Sequence, residues 1–394
     1  LDDKGARQEL MKLSFKAIRN IILILLIFLG LQLFISWNVY LFLSYYYPET
    51  SLAWLGIVLT VIALGYVIGR VKWLGPLGRF FKVIGSYYFA LFEFFVLALP
   101  IVDIIGWISH IAGADPVGYI PLLGWITIAL LAIFLLFGSY NAWSPVVRKY
   151  ELSIAKKPEP GTPKTYTIAV ASDLHLGNIV GNRYLAKLVH TLNGLEPDVT
   201  LLVGDVLDDS IEPFLRNNMS QEMKKLTAKY GVYAVLGNHE YYGGHIERYV
   251  KEMSQIGIPV LQDEVVSAAD GALHIAGRKD MTAESVEPGK RLPVTELLAP
   301  LDHTKPIILL DHQPYAFDKA MEAGADLLLC GHTHRGQFAP NHLITKRLFE
   351  LDWGHMLKEK MHVIVSSGFG SWGPPIRIAS RSEVIHIELT LTGE

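Results

Sequence analysis

Five short polar clusters between residues 173 and 334 combine carboxylates, imidazoles and one amide in a pattern suited to metal-ion chemistry. They are Asp173-Leu174-His175, Gly204-Asp205-Val206-Leu207-Asp208-Asp209, Gly237-Asn238-His239-Glu240, the single histidine of Asp311-His312-Gln313-Pro314, and Gly331-His332-Thr333-His334. Oxygen and imidazole donors without thiolate suit manganese, iron or zinc. Two such ions about 3.5–4 Å apart can hold both the attacking and the leaving oxygen of an in-line displacement. Phosphate ester hydrolysis is the chemistry this donor set points to.

Each cluster follows an apolar run: Ile168 to Ala171, Val199 to Val203, Val232 to Leu236, Ile307 to Leu310 and Leu327 to Leu329. Buried strands ending in polar loops are expected. Helical stretches are expected near Arg183 to Asn193, Pro213 to Lys229, Ile246 to Ile256 and Tyr315 to Ala323. Open α/β sheets place ligands beyond the carboxyl ends of their strands, so five strand ends would bring the clusters to one edge. Cys330, the only cysteine, closes an apolar run and reads as a small buried hydrophobe.

The ordered set resembles the calcineurin-like metallophosphoesterase superfamily, in its bacterial membrane-anchored branch, over about residues 165 to 392. The resemblance implies an α/β fold, a four-layer αββα sandwich of two mixed sheets. It implies that Asp173, His175 and His334 hold one divalent metal, that Asn238, His312 and His332 hold a second, and that Asp205 bridges them. A hydroxide on the metals would be the nucleophile, and manganese is the first expectation, with iron or zinc as alternatives. His239 matches the family histidine beside the leaving-group oxygen, Glu240 is expected to orient it, Asp208 is placed behind the ligands, and Asp209 has no role in the pattern. Two divalent ions outweigh the charges of Asp173, Asp205 and a hydroxide, so an anionic substrate is favoured. The stretch from Ser366 to Arg377 is also similar to that branch, where Arg377 is a candidate for meeting a phosphate or headgroup, or for a surface ion pair. Arg335 is a second candidate substrate contact; it stands in Arg335-Gly336-Gln337, where the branch often has Gly-Gly-Gln.

The first third of the chain is a different material. The whole is 51% hydrophobic and only 19% charged, and most of the excess lies before residue 144. Four apolar stretches are long enough for about 20-residue membrane spans: Asn20 to Leu43, Ser51 to Gly69, Phe80 to Ile108 and Val117 to Tyr140. The expected organisation is an N-terminal segment (1–19), a four-helix transmembrane domain (20–143), a linker (144–164) and a hydrolase domain (165–394). Residues before Met11 read as a cloning remnant or a truncated start.

Lysine and arginine occur before the first span (Lys12, Lys16, Arg19), between the second and third (Arg70, Lys72, Arg79, Lys82) and after the fourth (Arg148, Lys149, Lys156, Lys157), with none in the other two short loops. By the positive-inside rule the hydrolase domain lies in the cytoplasm, in a bacterial inner or plasma membrane. Tyr45, Tyr46, Tyr47 and Trp54 at one interface and Tyr66, Trp73, Tyr140 and Trp143 at the other agree. Within the third span, Glu93 is a carboxylate that Gln32, Asn38 or a protonated state could satisfy, and Asp103 is a second.

A four-span tether exceeds what soluble nucleotides require, so the expected substrate is a phosphate-bearing lipid in the cytoplasmic leaflet; no nucleic-acid partner is expected at a net charge of −3. Residues Leu343 to Trp353 mix bulky apolar side chains with two cations, which suits either a membrane-surface segment or a piece packed on its own domain. The alternatives are hydrolysis of soluble nucleotides or phosphoproteins, a non-catalytic membrane receptor, and a transporter regulated by the domain.

Overall fold

The computed structural model describes residues 3–69, 71, 74–286 and 289–393, with side chains from residue 16 onward. Arg70, Lys72, Trp73 and the side chain of Lys12, all used to read orientation, lie outside the described residues. The chain divides into two compact units, Leu1–Phe134 and Leu135–Glu394.

Four apolar helices open the chain: α1 (Asp3–Tyr46), α2 (Leu52–Ile68), α3 (Gly75–Ile111) and α4 (Pro116–Trp143), the last running into the second unit. Among the described residues, three carry stretches long and apolar enough to cross a membrane: Lys16–Tyr46, Gly75–Ile111 and Pro116–Trp143. With 17 residues, α2 reaches only about 25 Å against a hydrocarbon core of about 30 Å. The expectation of four full spans is therefore corrected to three, with α2 a shorter apolar helix. It packs on α3 at backbone range, because a Cβ on Gly85 would lie 2.0 Å from the Tyr66 nitrogen. Polar groups in this unit find partners between helices. The Gln32 amide donates to the Tyr88 hydroxyl (2.8 Å) and Asn38 to Asp103 (3.3 Å), so both amides expected near Glu93 are engaged elsewhere.

The second unit is a four-layer αββα sandwich. Its strands are β1 (Val146–Ile154), β2 (Thr165–Ala171), β3 (Val199–Val203), β4 (Val232–Val235), β5 (Val260–Leu261), β6 (Glu264–Ala268), β7 (Leu273–Gly277), β8 (Ile307–Leu310), β9 (Leu327–Cys330), β10 (Gly354–Lys358), β11 (Met361–Val365) and β12 (Glu383–Leu391). One sheet has the order β1-β12-β2-β3-β4-β5 and the other β10-β11-β9-β8-β7-β6. Both are mixed: β12 meets β2 antiparallel while β2, β3 and β4 run parallel, and β7, β8, β9 and β11 run parallel between antiparallel edges.

Alternation along each strand builds the layers. Ile168 and Val170 of β2 enter the core between the sheets with Leu327 and Leu329 of β9. Their neighbours Ala169 and Ala171 face the helices on one side, and Leu328 and Cys330 those on the other. Strands covered on both faces read as unbroken apolar runs, which is why the sequence shows them so clearly. Cys330 is buried as expected, and burial pushes its thiol well above the usual range.

Two expectations are corrected here. Residues 144–164 are not simply a linker: Val146–Ile154 pairs in parallel with β12 along nine residues. The single helix expected over 213–229 is two short ones, Glu212–Arg216 and Met219–Met223, because Asn218 between them turns left-handed at φ 48°.

Candidate metal centre

All five clusters sit just past the carboxyl ends of β2, β3, β4, β8 and β9. The chain turns sharply there. Asp173, His175, Asp205, His332 and His334 all have positive φ, between 47° and 72°, a conformation costly for residues with a Cβ and common where strain serves a site. The motif glycines make room. A Cβ on Gly237 would lie 2.2 Å from Asp205 Oδ1, and one on Gly331 2.3 Å from Asp173 Oδ2. Backbone bonds from Asp173 N to Gly204 O and from His175 N to Asp205 O, 3.0 Å each, join the first two loops.

Among the described residues three groups of potential ligands result, two of them the expected ones: Asp173, His175 and His334, and Asp205, His312 and His332, each with its ligand atoms within 4.8 Å of one another. In the first, the Nε2 atoms of His175 and His334 are 3.0 Å apart and His334 Nε2 is 3.4 Å from Asp173 Oδ1. In the second, His312 Nε2 is 3.0 Å from Asp205 Oδ2, and His332 Nδ1 meets Asn238 Oδ1 at 2.8 Å, which adds Asn238 to the set. His312 Nε2 also lies 3.9 Å from Asp173 Oδ1, so the groups adjoin. Asp205 falls in the second group.

The donor set fits divalent cations. His312 donates from Nδ1 to the Val203 carbonyl (2.8 Å), which presents the lone pair of Nε2 to Asp205 and Asp173. Acceptors facing one another repel unless a cation or a proton lies among them. Accordingly, although burial opposes it, Asp205 and Asp173 hold the His312 pKa well above its ordinary value. Burial, with neighbouring imidazoles, pushes His175 down to about 3 and His332 to about 4, and His334 well below normal, so these rings are neutral as ligands must be. Burial raises Asp173 to about 6 against His312, whereas in Asp205 the pull of His312, His239 and His175 outweighs burial and holds the carboxylate low.

His239 stands beside these ligands. Its backbone N–H donates to Asp205 Oδ1 (2.9 Å), and its Nε2 is 4.0 Å from Asp205 Oδ2. The carboxylate that orients its ring is Asp209, whose Oδ1 lies 2.7 Å from Nδ1. Burial lowers the His239 pKa, but that bond and the charges of Asp205, Asp209 and Asp208 raise it to about 9. The expected role of Glu240 is thus corrected: its carboxylate turns back to accept N–H bonds from Gly237 (2.7 Å), Leu207 (2.8 Å) and Asp205 (3.2 Å), clamping two loops. Asp208 is buried and forms the third group with His175 and His239, its ligand atom within 4.8 Å of theirs.

Arg377 is neither a surface ion-pair partner nor open to a headgroup. It is fully buried, and its Nη2 donates to the Gly370 carbonyl (2.5 Å) and to His334 Nδ1 (3.1 Å), holding the C-terminal loop against a ligand. Burial lowers its pKa to about 10. Arg335 lies with its guanidinium carbon 4.1 Å from the centre of the Trp353 ring, outside both ligand groups. Asp209 and the inward turn of Arg377 were missed from sequence; the aspartate had a signal in its place three residues after Val206, the arginine none.

A family model for calcineurin-like phosphoesterases matches residues 166–336, which contain every ligand named above. An uncharacterised metallophosphoesterase of Aquifex aeolicus is 32% identical over 264 residues, covering 65% of this chain and 97% of the relative. The chain belongs to the calcineurin-like metallophosphoesterase family. A transmembrane protein with a metallophosphoesterase domain from Danio rerio is 31% identical over 274 residues, 67% of this chain and 62% of that one, so the match spans less than two thirds of that relative. A solved dimetal phosphatase from the same fish shares 12% identity, covers 57% of this chain and 98% of its own, and has a TM-score of 0.33. In this metallophosphoesterase, Arg377 and the first unit lie outside the stretch that the family model matches.

Proposed function

We propose that this protein is a membrane-anchored phosphohydrolase that uses two divalent metals to cleave a phosphoester or pyrophosphate bond in a lipid-linked substrate at the cytoplasmic leaflet. The observation that carries the reading is the meeting of two groups of imidazoles and carboxylates with His239 beside them. Asp173, His175 and His334 would hold one cation and Asn238, His312 and His332 the other, with Asp205 shared between them. When bound, such ions polarise phosphoryl oxygens and make water a nucleophile at neutral pH. Manganese suits a set of oxygen and imidazole donors without thiolate.

The chain's own part is positional. Asp209 accepts the Nδ1 proton of His239 and so fixes the tautomer and aims Nε2 toward the ligands. A ring held this way supplies a proton to a leaving oxygen, a contribution of about 10²–10⁴-fold in rate. Three membrane-length helices in the same chain favour a substrate confined to the bilayer, which the site meets at raised effective concentration. The cytoplasmic side is supported by Arg148 and Lys149 directly after α4.

The test is turnover by the full chain in detergent with manganese against lipid phosphomonoesters, nucleotide-linked lipids, polyprenyl pyrophosphates and soluble cyclic nucleotides. The expected result is hydrolysis of a lipid member, lost in His239→Ala. Preference for a soluble member would overturn the lipid assignment, and inactivity on every member with full metal occupancy would favour a receptor.

A further inference from the structure

Seven residues past His334 the chain forms a helix, Asn341–Leu348, whose amphipathic character is turned inside out. At about 100° per residue, Asn341, His342, Thr345 and Phe349 share one side and Leu343, Ile344 and Arg347 the other, with Leu348 on the border between them. A water-soluble domain packs the second kind of side inward. Here the polar side faces the domain. Thr345 Oγ1 donates to Asp352 Oδ2 (2.6 Å), and the Phe349 ring sits 6.2 Å from that of His332. No residue of the helix is buried, and Leu343, Ile344 and Leu348 are 60, 57 and 67% exposed beside exposed Lys346 and Arg347.

We propose that this helix lies in the headgroup–acyl boundary of the membrane that the chain itself spans, and that it sets the mouth of the metal site on the lipid surface. The occupant is argued from the chain. Its own membrane-length helices keep the second unit within reach of a bilayer at all times. Lys346 and Arg347 complement lipid phosphates and have stems long enough to keep their charges at headgroup level. A short helix makes only a weak, reversible membrane contact, which suffices in a chain already anchored.

The apolar surface also continues to the site. The Phe349 ring lies tilted against that of Tyr315 with centres 5.0 Å apart, while the rings of Tyr242 and Trp372 lie 5.7 and 6.4 Å from that of His239. Tyr242, Tyr315 and Trp372 are all exposed, and tyrosine and tryptophan are the side chains that favour membrane–water interfaces. The placement rests on the lipid-substrate reading for its purpose: a headgroup could pass from the leaflet to the ligands along this aromatic edge while its chains remain in lipid.

The test uses the full chain in nanodiscs containing anionic lipid. A fluorophore on Leu348→Cys, in a protein whose sole native cysteine is buried, is exposed to lipids bearing nitroxide near the headgroup; a label on Lys251→Cys, exposed on the helix Ile246–Gln255, is the comparison. Strong quenching at 348 and weak quenching at 251 is expected. Equal quenching at the two positions, or crosslinking of two copies through residue 348, overturns the proposal. In a second arm, the double variant Leu343→Gln/Leu348→Gln should lose about tenfold in rate on a bilayer-embedded ester while hydrolysis of soluble p-nitrophenyl phosphate is unchanged; an equal fall on both substrates counts against it. Quenching at 348 in a protein that cleaves only soluble esters would sink the lipid-substrate reading and leave the placement standing.

Discussion

The two units of this chain differ in how much apolar surface they hide. In the first, a run such as Ile21 to Ile27 is exposed throughout, and the few buried side chains mix polar groups, Gln32 on Tyr88 and Ser36 on its own helix, with apolar ones such as Ile35, Ala90 and Leu99. In the second, apolar strands fill three core layers. Its buried polar groups gather at one edge, where each ligand atom has a specified neighbour. The difference follows from the solvent. Lipid gives apolar surface no reason to hide, so helix association there rests on close backbone approach and a few hydrogen bonds. In the second unit water drives the core together, and the site uses the rigidity that results. The helix Asn341–Leu348 obeys the first unit's rule while belonging to the second, which is what singles it out.

That contrast can be broken at several points. The largest effect expected is from removing divalent metal or the ligand proposed to be shared: chelation, or Asp205→Asn, should abolish turnover while far-ultraviolet circular dichroism stays unchanged, and loss of helical signal on chelation would tie folding to metal. His239→Ala should lower kcat by about 10²–10⁴-fold at full metal occupancy by elemental analysis; a parallel loss of metal would make it a ligand instead. Glu240→Ala removes the acceptor of three backbone N–H bonds and should destabilise the second unit by about 3 kcal/mol in chemical denaturation. Asp209→Asn should slow the reaction roughly 10–100-fold with little change in the same denaturation curve, so the two neighbouring carboxylates separate by assay. The smallest effect is expected in the membrane. Gln32→Leu should cost only about 0.6 kcal/mol by unfolding in mixed micelles, and a loss as large as that of Glu240→Ala would contradict the idea that lipid-embedded bonds count for less.

Much of the second unit was legible because strands covered on both faces leave apolar runs, and each of the five ended where a ligand began. The edge strand β1 was hidden because prolines follow it and its outward positions carry charge, although Tyr150, Leu152 and Ile154 keep a period of two. Which carboxylate serves His239 was misread from adjacency. Glu240 is the third residue of the short helix Asn238–Gly243, where a side chain naturally returns to the helix start, and this leaves Asp209 from another loop to reach the ring. Arg377 carried no readable signal, since its burial depends on a loop closing over Asp173, through Phe369 N to Ser172 O and Gly370 N to Asp173 O.

The parallel pairing of β1 with the last strand sets a rule for cutting this protein. A soluble version begun at residue 165, where the apolar run into the first ligand loop starts, would strip a nine-residue partner from β12 and leave a naked strand edge open to self-association. Begun near Pro145, the same domain keeps its border closed. Only Ser144 and Pro145 separate α4 from β1, so a mechanical pull on α4 would be felt along the full length of the C-terminal strand.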